Sequence, residues 1–386
     1  MGGGPAGMAA ASGAADGGAR VLIAEPFTFG GRLTYHIDCR YGAAFGEETT
    51  GPQFAAQARA RIERRGIERM RTAVVRVGEN MTAETAGGDG STVCTAKAVV
   101  LACGGRDVPF SALGIAHTSG ARGILTASDA LMSHCLFGRK AGTRAVVIGA
   151  GGEGMCAAYR LALDGVAVAA IAERRSAVSA SAREKLECAD DLHIPVTTDA
   201  RITAVRSDGR TLEVLLGESQ LRCDAVVAAA GRRPDLSLLP FVPRDVFGIA
   251  TVDSSFMTAK PGFFAVGGAL HSCGVGDRAY EEGAAAGAAA AAYALGGEFG
   301  RKAYWLRPSR EVSYVVPARV TAGKAASVAV RPAALTGRGR ITLRGYDGQL
   351  VARSSVMSVH PGREAYARFG EGEVDRNVFV CIEEEK

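Results

Sequence analysis

The sequence predicts an α/β fold: two three-layer units built on parallel sheet, one inserted in the other, followed by a small β-rich domain. Three observations predict it. The spacing Gly-x-Gly-x-x-Gly occurs at Gly2, Gly4 and Gly7 and again at Gly149, Gly151 and Gly154. Each copy leads into a helix of small residues and then an apolar strand that ends in an acid, Glu25 or Glu173. From about Arg310 onward the pattern changes to the alternation of half-buried strands, as in "EVSYVVPARV" and "RITLRGYDGQLVAR".

The elements follow in order. Residues 8–15 form a helix of small side chains, able to pack close to a sheet. "RVLIAEP" is a buried strand ending at Glu25, followed by "FGGRL" and the polar loop "TYHIDCRYGAAFGEETTGP". Residues 52–67 read as an amphipathic helix, and the stretch to Gly104 and Gly105 as strands with a hairpin. The second copy is complete: strand 145–148, the glycines, a helix, and a strand to Glu173. "LRCDAVVAAAGRRPD" is a strand that empties into Gly231. "TAKPGFFAVGGALH" is a strand and turn, and "EEGAAAGAAAAAYA" a helix. Asp347–Gly348 marks a hairpin in the β-rich tail.

Composition narrows the classes. The chain has 386 residues, 47% of them hydrophobic, which is enough for two or three cored domains. A formal charge of +5, with basic residues scattered among acids, gives no nucleic-acid footprint. The nine cysteines include no C-x-x-C pair, so free thiols in a cytoplasmic protein are expected, without a disulfide relay inside the chain. No charged segment followed by an apolar core opens the chain, so no signal peptide is expected. The longest apolar run, "GAAAGAAAAAYALGG", is too short and too alanine-rich to span a bilayer.

The repeated spacing has a shared chemistry. Glycines let the backbone approach a pyrophosphate, the helix N-terminus supplies N–H groups, and the terminal acid accepts ribose hydroxyls. A single match arises easily in a chain with 51 glycines, whereas two matches that each end in an acid point to two Rossmann-like dinucleotide-binding domains.

The motifs resemble those of the two-dinucleotide-binding flavoproteins, the pyridine nucleotide–disulfide oxidoreductase superfamily. "GGGPAG" with Glu25, "FGGRL", "VVLACGGRDVP", "VVIGAGGEG", "AAGRRPD" and "TAKPGFFAVGGALH" carry the resemblance, from residue 1 to about residue 298. "EETTGPQFA", "GALHSCGVGDRAYEEG" and "VSYVVPARV" are similar to a narrower bacterial group related to the FAD subunit of anaerobic glycerol-3-phosphate dehydrogenase, which also carries a β-rich extension. The resemblance implies an FAD domain over 1–118 and 240–300, an NAD(P)H domain over 119–239 and a β-rich domain over 301–386. It implies FAD contacts at Gly2, Gly4, Pro5, Ala6, Gly7, Glu25, Gly31, Arg32, Val74, Ala102, Gly104, Gly267 and Gly268. It implies NAD(P)H contacts at Gly149, Gly151, Gly154, Glu173 and Gly231. Glu173 favours NAD, whereas the adjacent Arg174 and Arg175 suit the 2′-phosphate of NADP. The flavin end is expected at the Gly267–Gly268 turn and a helix beginning near Glu282.

The chain departs from the family in three places. The family has a central strand before the first fingerprint, where this sequence has only Met1. A start codon placed too far downstream is the preferred explanation, and the chain as given is expected to anchor its phosphate loop weakly and to bind FAD poorly. Gly268 replaces an acid or amide that bonds the ribityl chain. In "RLTYHIDC", His36 stands at the narrower group's Cys position and Asp38 at its His position, in a loop expected near the flavin.

His36 and His271 are therefore the candidate catalytic residues, His36 with Asp38 as an acid–base pair or as part of a polar surface loop. Asp277 and Glu281 match family positions or cap the alanine-rich helix. Cys273 reads as a small packing residue or a reactive thiol in the same loop, Cys103 reads as structural, and no metal set is expected. The functional reading is hydride exchange between NAD(P)H and FAD, with electrons passed to a small molecule or an acceptor protein. The alternatives are an FAD subunit of a polyol-phosphate, amine or imino-acid dehydrogenase complex, or a degenerate non-catalytic subunit; a homodimer or a hetero-complex would suit either.

Overall fold

The computed structural model describes residues 1–38, 40–87, 90–274, 276–297, 302–334 and 337–385. The chain divides into two compact units. One comprises Met1–Leu33, Arg40–Gly105 and Arg233–Lys386; the other comprises Thr34–Cys39 and Arg106–Arg232. The contact boundaries thus fall at 105/106 and 232/233, where the sequence reading divides at 118/119 and 239/240. The β-rich region joins the first unit because Tyr314, Val316 and Ala329 share a core with Leu101, Phe263 and Phe264. Helices α1 (Pro5–Asp16), α2 (Gly51–Arg64) and α6 (Gly276–Ala294) belong to the first unit. Helices α3 (Ala127–Phe137), α4 (Gly152–Leu163) and α5 (Ala182–Lys185) belong to the second.

In the first unit, strand Leu22–Ala24 runs parallel to Glu68–Met70, and Val99–Leu101 runs parallel to Phe263–Ala265. Met1 and Gly2 lie between these pairs. The Gly2 N–H donates to Ala24 O at 2.9 Å, the Ala102 N–H donates to Met1 O at 2.9 Å, and the Met1 amino group donates to Val100 O at 2.8 Å. The first loop is therefore hydrogen-bonded on both sides, in contrast to the weak anchoring expected from the sequence. Helix α2 opens on a capping box made by Thr50 and Gln53, and its Phe54 packs edge-on against Tyr41, Phe45 and Tyr280.

Helices α1 and α6 meet backbone to backbone. A Cβ at Gly283 would strike the carbonyl oxygen of Ala6, one at Gly287 that of Ala10, and one at Gly13 that of Ala284. Ala291 lies beside Gly17 at the end of the same seam. Glycine is required here for close approach rather than for a turn.

The β-rich region is two packed sheets. One contains strands Arg319–Thr321, Ala303–Pro308, Val378–Glu384, Gly337–Gly345 and Leu350–Arg353 in that spatial order, with Met357–Val359 also paired to Gly337–Gly345. The other contains Val312–Val316, Ala326–Pro332 and Ala365–Phe369. Leu306, Val328, Leu343, Phe369 and Val380 fill the space between them, as alternation along the strands dictates. The predicted turn at Asp347–Gly348 closes with the Gly345 N–H on Gln349 O at 2.9 Å.

The second unit has a five-stranded parallel sheet in the order Ile124–Thr126, Ala225–Ala228, Arg144–Ile148, Ala167–Ala172, Val196–Thr197. Both faces are covered. Ala145 and Val147 pack with Met155, Ala158 and Leu161 of α4, whereas Val146 and Ile148 pack with Val205, Leu212 and Val214 of a second, four-stranded sheet. This is the three-layer arrangement expected of near-continuous apolar strands.

The seam predicts a sharp size limit. Gly283→Val and Gly287→Val should each destabilise the first unit by at least about 1–3 kcal/mol, because the added groups meet backbone rather than a movable side chain. Thermal denaturation should show a lower Tm for both; a Tm equal to that of the parent would show that the helices can separate at little cost.

Candidate functional site

The two glycine-rich loops are built alike. Gly2 has φ +96° and Gly149 φ +112°, in the region that favours glycine. A Cβ at Gly2 would strike Ala102 O, and one at Gly149 would strike Ala229 O. A Cβ at Gly7 would meet Gly2 O, and one at Gly154 would meet Gly149 O, so the third glycine lets each helix start against its own loop. Gly4 and Gly151 are the N-caps of α1 and α4, and neither helix start has a side-chain cap. A Cβ on Gly4 would meet nothing within 4 Å, so its outer side is open. Open backbone beside a 12-residue helix N-terminus is the cradle an anionic pyrophosphate needs.

The two acids also match. Glu25 Oε2 accepts from the Gly3 N–H at 2.7 Å and Oε1 from the Phe27 N–H at 2.8 Å. Glu173 Oε2 accepts from the Ala150 N–H at 2.8 Å and Oε1 from the Arg175 N–H at 2.9 Å. Gly3 and Ala150 each lie between the first two glycines of their loop. Both carboxylates are buried and tie the loop to the strand end, and each oxygen keeps lone-pair capacity for a ribose hydroxyl. The spacing identified these acids; it did not reveal that they also hold the loop.

The other predicted positions fall as follows. In the first unit, Gly31 (φ +53°) lies against Gly4, and the Gly30 N–H donates to Gly3 O at 2.8 Å. Pro5 and Ala6 form the first turn of α1, Ala102 lies under Gly2, and Arg32 and Val74 are half-buried. Gly104 has φ +79° and an open Cβ direction. Gly267 has φ +59°, and a Cβ on Gly268 would lie 3.0 Å from Gly105 N, so a side chain there must lean on the Gly104–Gly105 backbone. In the second unit, Gly231 (φ +88°) accepts from the Val108 N–H at 2.9 Å. Arg174 and Arg175 are exposed; Arg174 Nη1 donates to Leu113 O at 3.1 Å, beside a cavity of about 250 Å³ also lined by Asp199 and Arg201.

His36 and Asp38 belong to the second unit. His36 is buried, with its ring 5.3 Å from that of Tyr35, and Asp38 Oδ1 accepts from Arg160 Nη1 of α4 at 3.2 Å. Arg160 also pairs with Asp164 at 3.1 Å. Asp38 is thus an ion-pair partner of α4, a role that sequence position did not reveal.

Helix α6 starts at Gly276, so Glu282 lies in its second turn rather than at its beginning. Asp277 does not cap the helix: it accepts from the Gly42 N–H at 3.1 Å and the Ala44 N–H at 2.9 Å. Glu281 pairs with Arg278 at 2.8 Å on the surface. Glu282 turns back, its Oε2 accepting from the Gly267 N–H at 3.0 Å and its Oε1 lying 2.9 Å from His271 Nε2. On the other side, His271 Nδ1 lies 2.8 Å from Glu364 Oε1. Glu364 also accepts from the Tyr314 and Tyr366 hydroxyls, each at 2.6 Å.

The His271 side chain is 0% exposed and that of Glu364 1%. Burial alone would depress the imidazolium, but Glu282 and Glu364 outweigh it and hold His271 well above the usual histidine range. Burial alone would raise Glu364, but His271 and the two tyrosines outweigh it and bring its pKa down to about 2. Burial, then Glu364, push the Tyr314 hydroxyl up. Cys273 brings its sulfur within 4.8 Å of donor atoms of His271 and Glu282. With both ring nitrogens facing carboxylates, the geometry is that of an imidazolium rather than of a metal ligand. Glu364 and Tyr366 sit two apart at the start of a strand and so share a face; nothing in the local pattern linked them to His271.

The chain belongs to the pyridine nucleotide-disulphide oxidoreductase family, whose model matches residues 1–290. Members of this family bind FAD and NAD(P)H, and the chain is an FAD/NAD(P)-dependent oxidoreductase. Among solved structures, the fold is similar to thioredoxin reductase of Lactococcus lactis, with a TM-score of 0.63 at 20% identity over 76% of this chain and 97% of that one. It is similar to bacillithiol disulfide reductase of Bacillus cereus, with a TM-score of 0.61 at 21% identity over 75% and 97%. It is also similar to a NAD-dependent persulfide reductase of A. fulgidus, with a TM-score of 0.61 at 16% identity over 96% and 74%. No curated protein sequence matches the chain. No helix among the described residues is long and apolar enough to cross a membrane.

The buried triad gives stability a definite pH dependence. Glu364 has a depressed folded pKa, so its contribution is present above its ordinary value of 4.5 and is lost as pH falls through about 2. His271 has a raised folded pKa, so its contribution is present below 6.5 and is lost as pH rises through the folded value. Denaturant unfolding across pH should therefore show this contribution at full strength between roughly 4.5 and 6.5, and His271→Gln should remove the alkaline decline; an unchanged alkaline decline would refute the assignment.

Proposed function

We propose that the chain takes hydride from NAD(P)H onto FAD and passes the electrons to a separate small molecule or acceptor protein. The observation that carries this reading is the matched pair of loops, each with its first and third glycines in close backbone contact, its second at an uncapped helix N-terminus, and a buried acid. The residues fit the groups. Gly2, Gly4, Gly7 and the first turn of α1 would take the FAD pyrophosphate, with Glu25 on its ribose. Gly149, Gly151, Gly154 and α4 would do the same for the nicotinamide dinucleotide, with Glu173 on its ribose. FAD would supply the redox chemistry. The Gly267–Gly268 turn, fixed by Glu282, would position the flavin end.

The absence of C-x-x-C from the sequence favours an acceptor outside the chain over an internal disulfide. The structural neighbours include thioredoxin, bacillithiol disulfide and persulfide reductases, so a sulfur acceptor is one class to test. A second reading is an FAD subunit of a complex oxidising a polyol phosphate, amine or imino acid. The β-rich region beyond residue 290, outside the matched family region, supports it as a surface for a partner or a second copy.

The visible spectrum of the purified protein, before and after anaerobic NADH or NADPH, tests the reading. A flavin band bleached by reduced nicotinamide is expected; a colourless protein that takes up no added FAD would refute it. NADH should act faster than NADPH, and Glu173→Gln should narrow that preference by about tenfold, equivalent to about 1.4 kcal/mol. Equal rates with both nucleotides would instead favour a 2′-phosphate contact by Arg174 or Arg175.

A further inference from the structure

The buried network around His271 reaches the expected flavin turn from one side and the β-rich region from the other. Five groups lie in it, and the β-rich region supplies three: Glu364, Tyr314 and Tyr366. An imidazolium between two carboxylates leaves a net charge of −1 in a largely buried site. Such a cluster is a poor way to gain stability, since apolar side chains of similar volume serve as well or better. Its position suggests another use, because Glu282 joins it directly to the Gly267 N–H at 3.0 Å.

We infer that Glu364 is a positioning residue for the flavin end of the site: it holds His271 against Glu282, and Glu282 holds the Gly267–Gly268 turn. The inference rests on the flavoprotein reading above and makes the β-rich region part of the redox site. A fixed buried negative charge beside a group that gains electrons opposes its reduction, because Coulomb energy is weakly screened there. Glu364 thereby helps to keep the flavin potential low and, by keeping His271 protonated, keeps the titration of this histidine from adding to the pH dependence that proton uptake by the flavin itself brings.

The charged and titratable groups around His271 are Glu282 from α6, Glu364 and Tyr366 at the strand Ala365–Phe369, Tyr314 from Val312–Val316, and Cys273 from its own loop. Farther out, Arg331 acts on Tyr314, and the Arg278 guanidinium lies 4.9 Å over the Tyr366 ring. Without the Glu364 charge, His271 keeps one carboxylate partner, and its titration moves down toward the ordinary range.

The test is the midpoint potential of the FAD-loaded protein across pH, for the parent and for Glu364→Gln. While His271 stays protonated, the variant should favour the reduced flavin by at least tenfold, a rise of about 30 mV for a two-electron couple. Between roughly pH 6 and 9 its potential should also fall more steeply than the parent's, whose slope comes from proton uptake by the flavin alone. A variant that binds FAD with the parent's potential and pH dependence overturns the inference while leaving the flavin reading intact. A parent protein that binds no FAD overturns both. If Glu364→Gln does not fold, nitrogen NMR of histidine-labelled holoprotein decides: both His271 ring nitrogens protonated at about pH 8.5 are expected, and a neutral ring overturns the inference.

Discussion

The close approach of α1 and α6 is the constraint on which the first unit depends. Carbonyl oxygens of Ala6, Ala10 and Ala284 occupy the places where side chains would begin on Gly283, Gly287 and Gly13. Close packing fixes the first turn of α1 relative to Gly267, whose own Cβ direction points at Ala6. The first glycine-rich loop and the Gly267–Gly268 turn are therefore held against the same pair of helices. Larger residues would part the helices and separate the loop from the turn.

The acids at the strand ends show how one residue can hold a loop and still keep acceptors to spare. A carboxylate has about four acceptor positions, and Glu25 and Glu173 each use two on backbone N–H groups. Each oxygen keeps acceptor capacity beyond the backbone bond it makes. The acid thus holds the loop in one shape, which would lower the ordering cost of binding a nucleotide there. That the same contacts recur in both loops, on unrelated surrounding sequence, argues that the geometry follows from the strand–loop–helix unit itself.

The His271 network illustrates the opposite case, in which residues far apart in sequence make one electrostatic object. Burying any one of its three charges alone would cost several kcal/mol. Glu364 is tolerable in the core because an imidazolium and two phenol groups face it, and His271 because two carboxylates do. The β-rich region is in this way tied to the first unit by charge as well as by the core shared through Tyr314 and Val316.

The sequence by itself determined the architecture: two parallel-sheet units, a β-rich tail, the six glycines and the two acids. These are local signals, carried by spacing within one strand–loop–helix segment, so periodicity and turn chemistry suffice to read them. The tertiary structure decided what Glu282, Asp277, Asp38 and Glu364 do. Glu282 looked like the start of a helix and turned out to face backward from its second turn; Asp277 looked like a cap and holds Gly42 and Ala44 instead. The choice among partners for a buried charge depends on which elements pack against it, and packing brings together residues some ninety positions apart, such as His271 and Glu364. Only the folded chain places the two groups where each lowers the cost of burying the other.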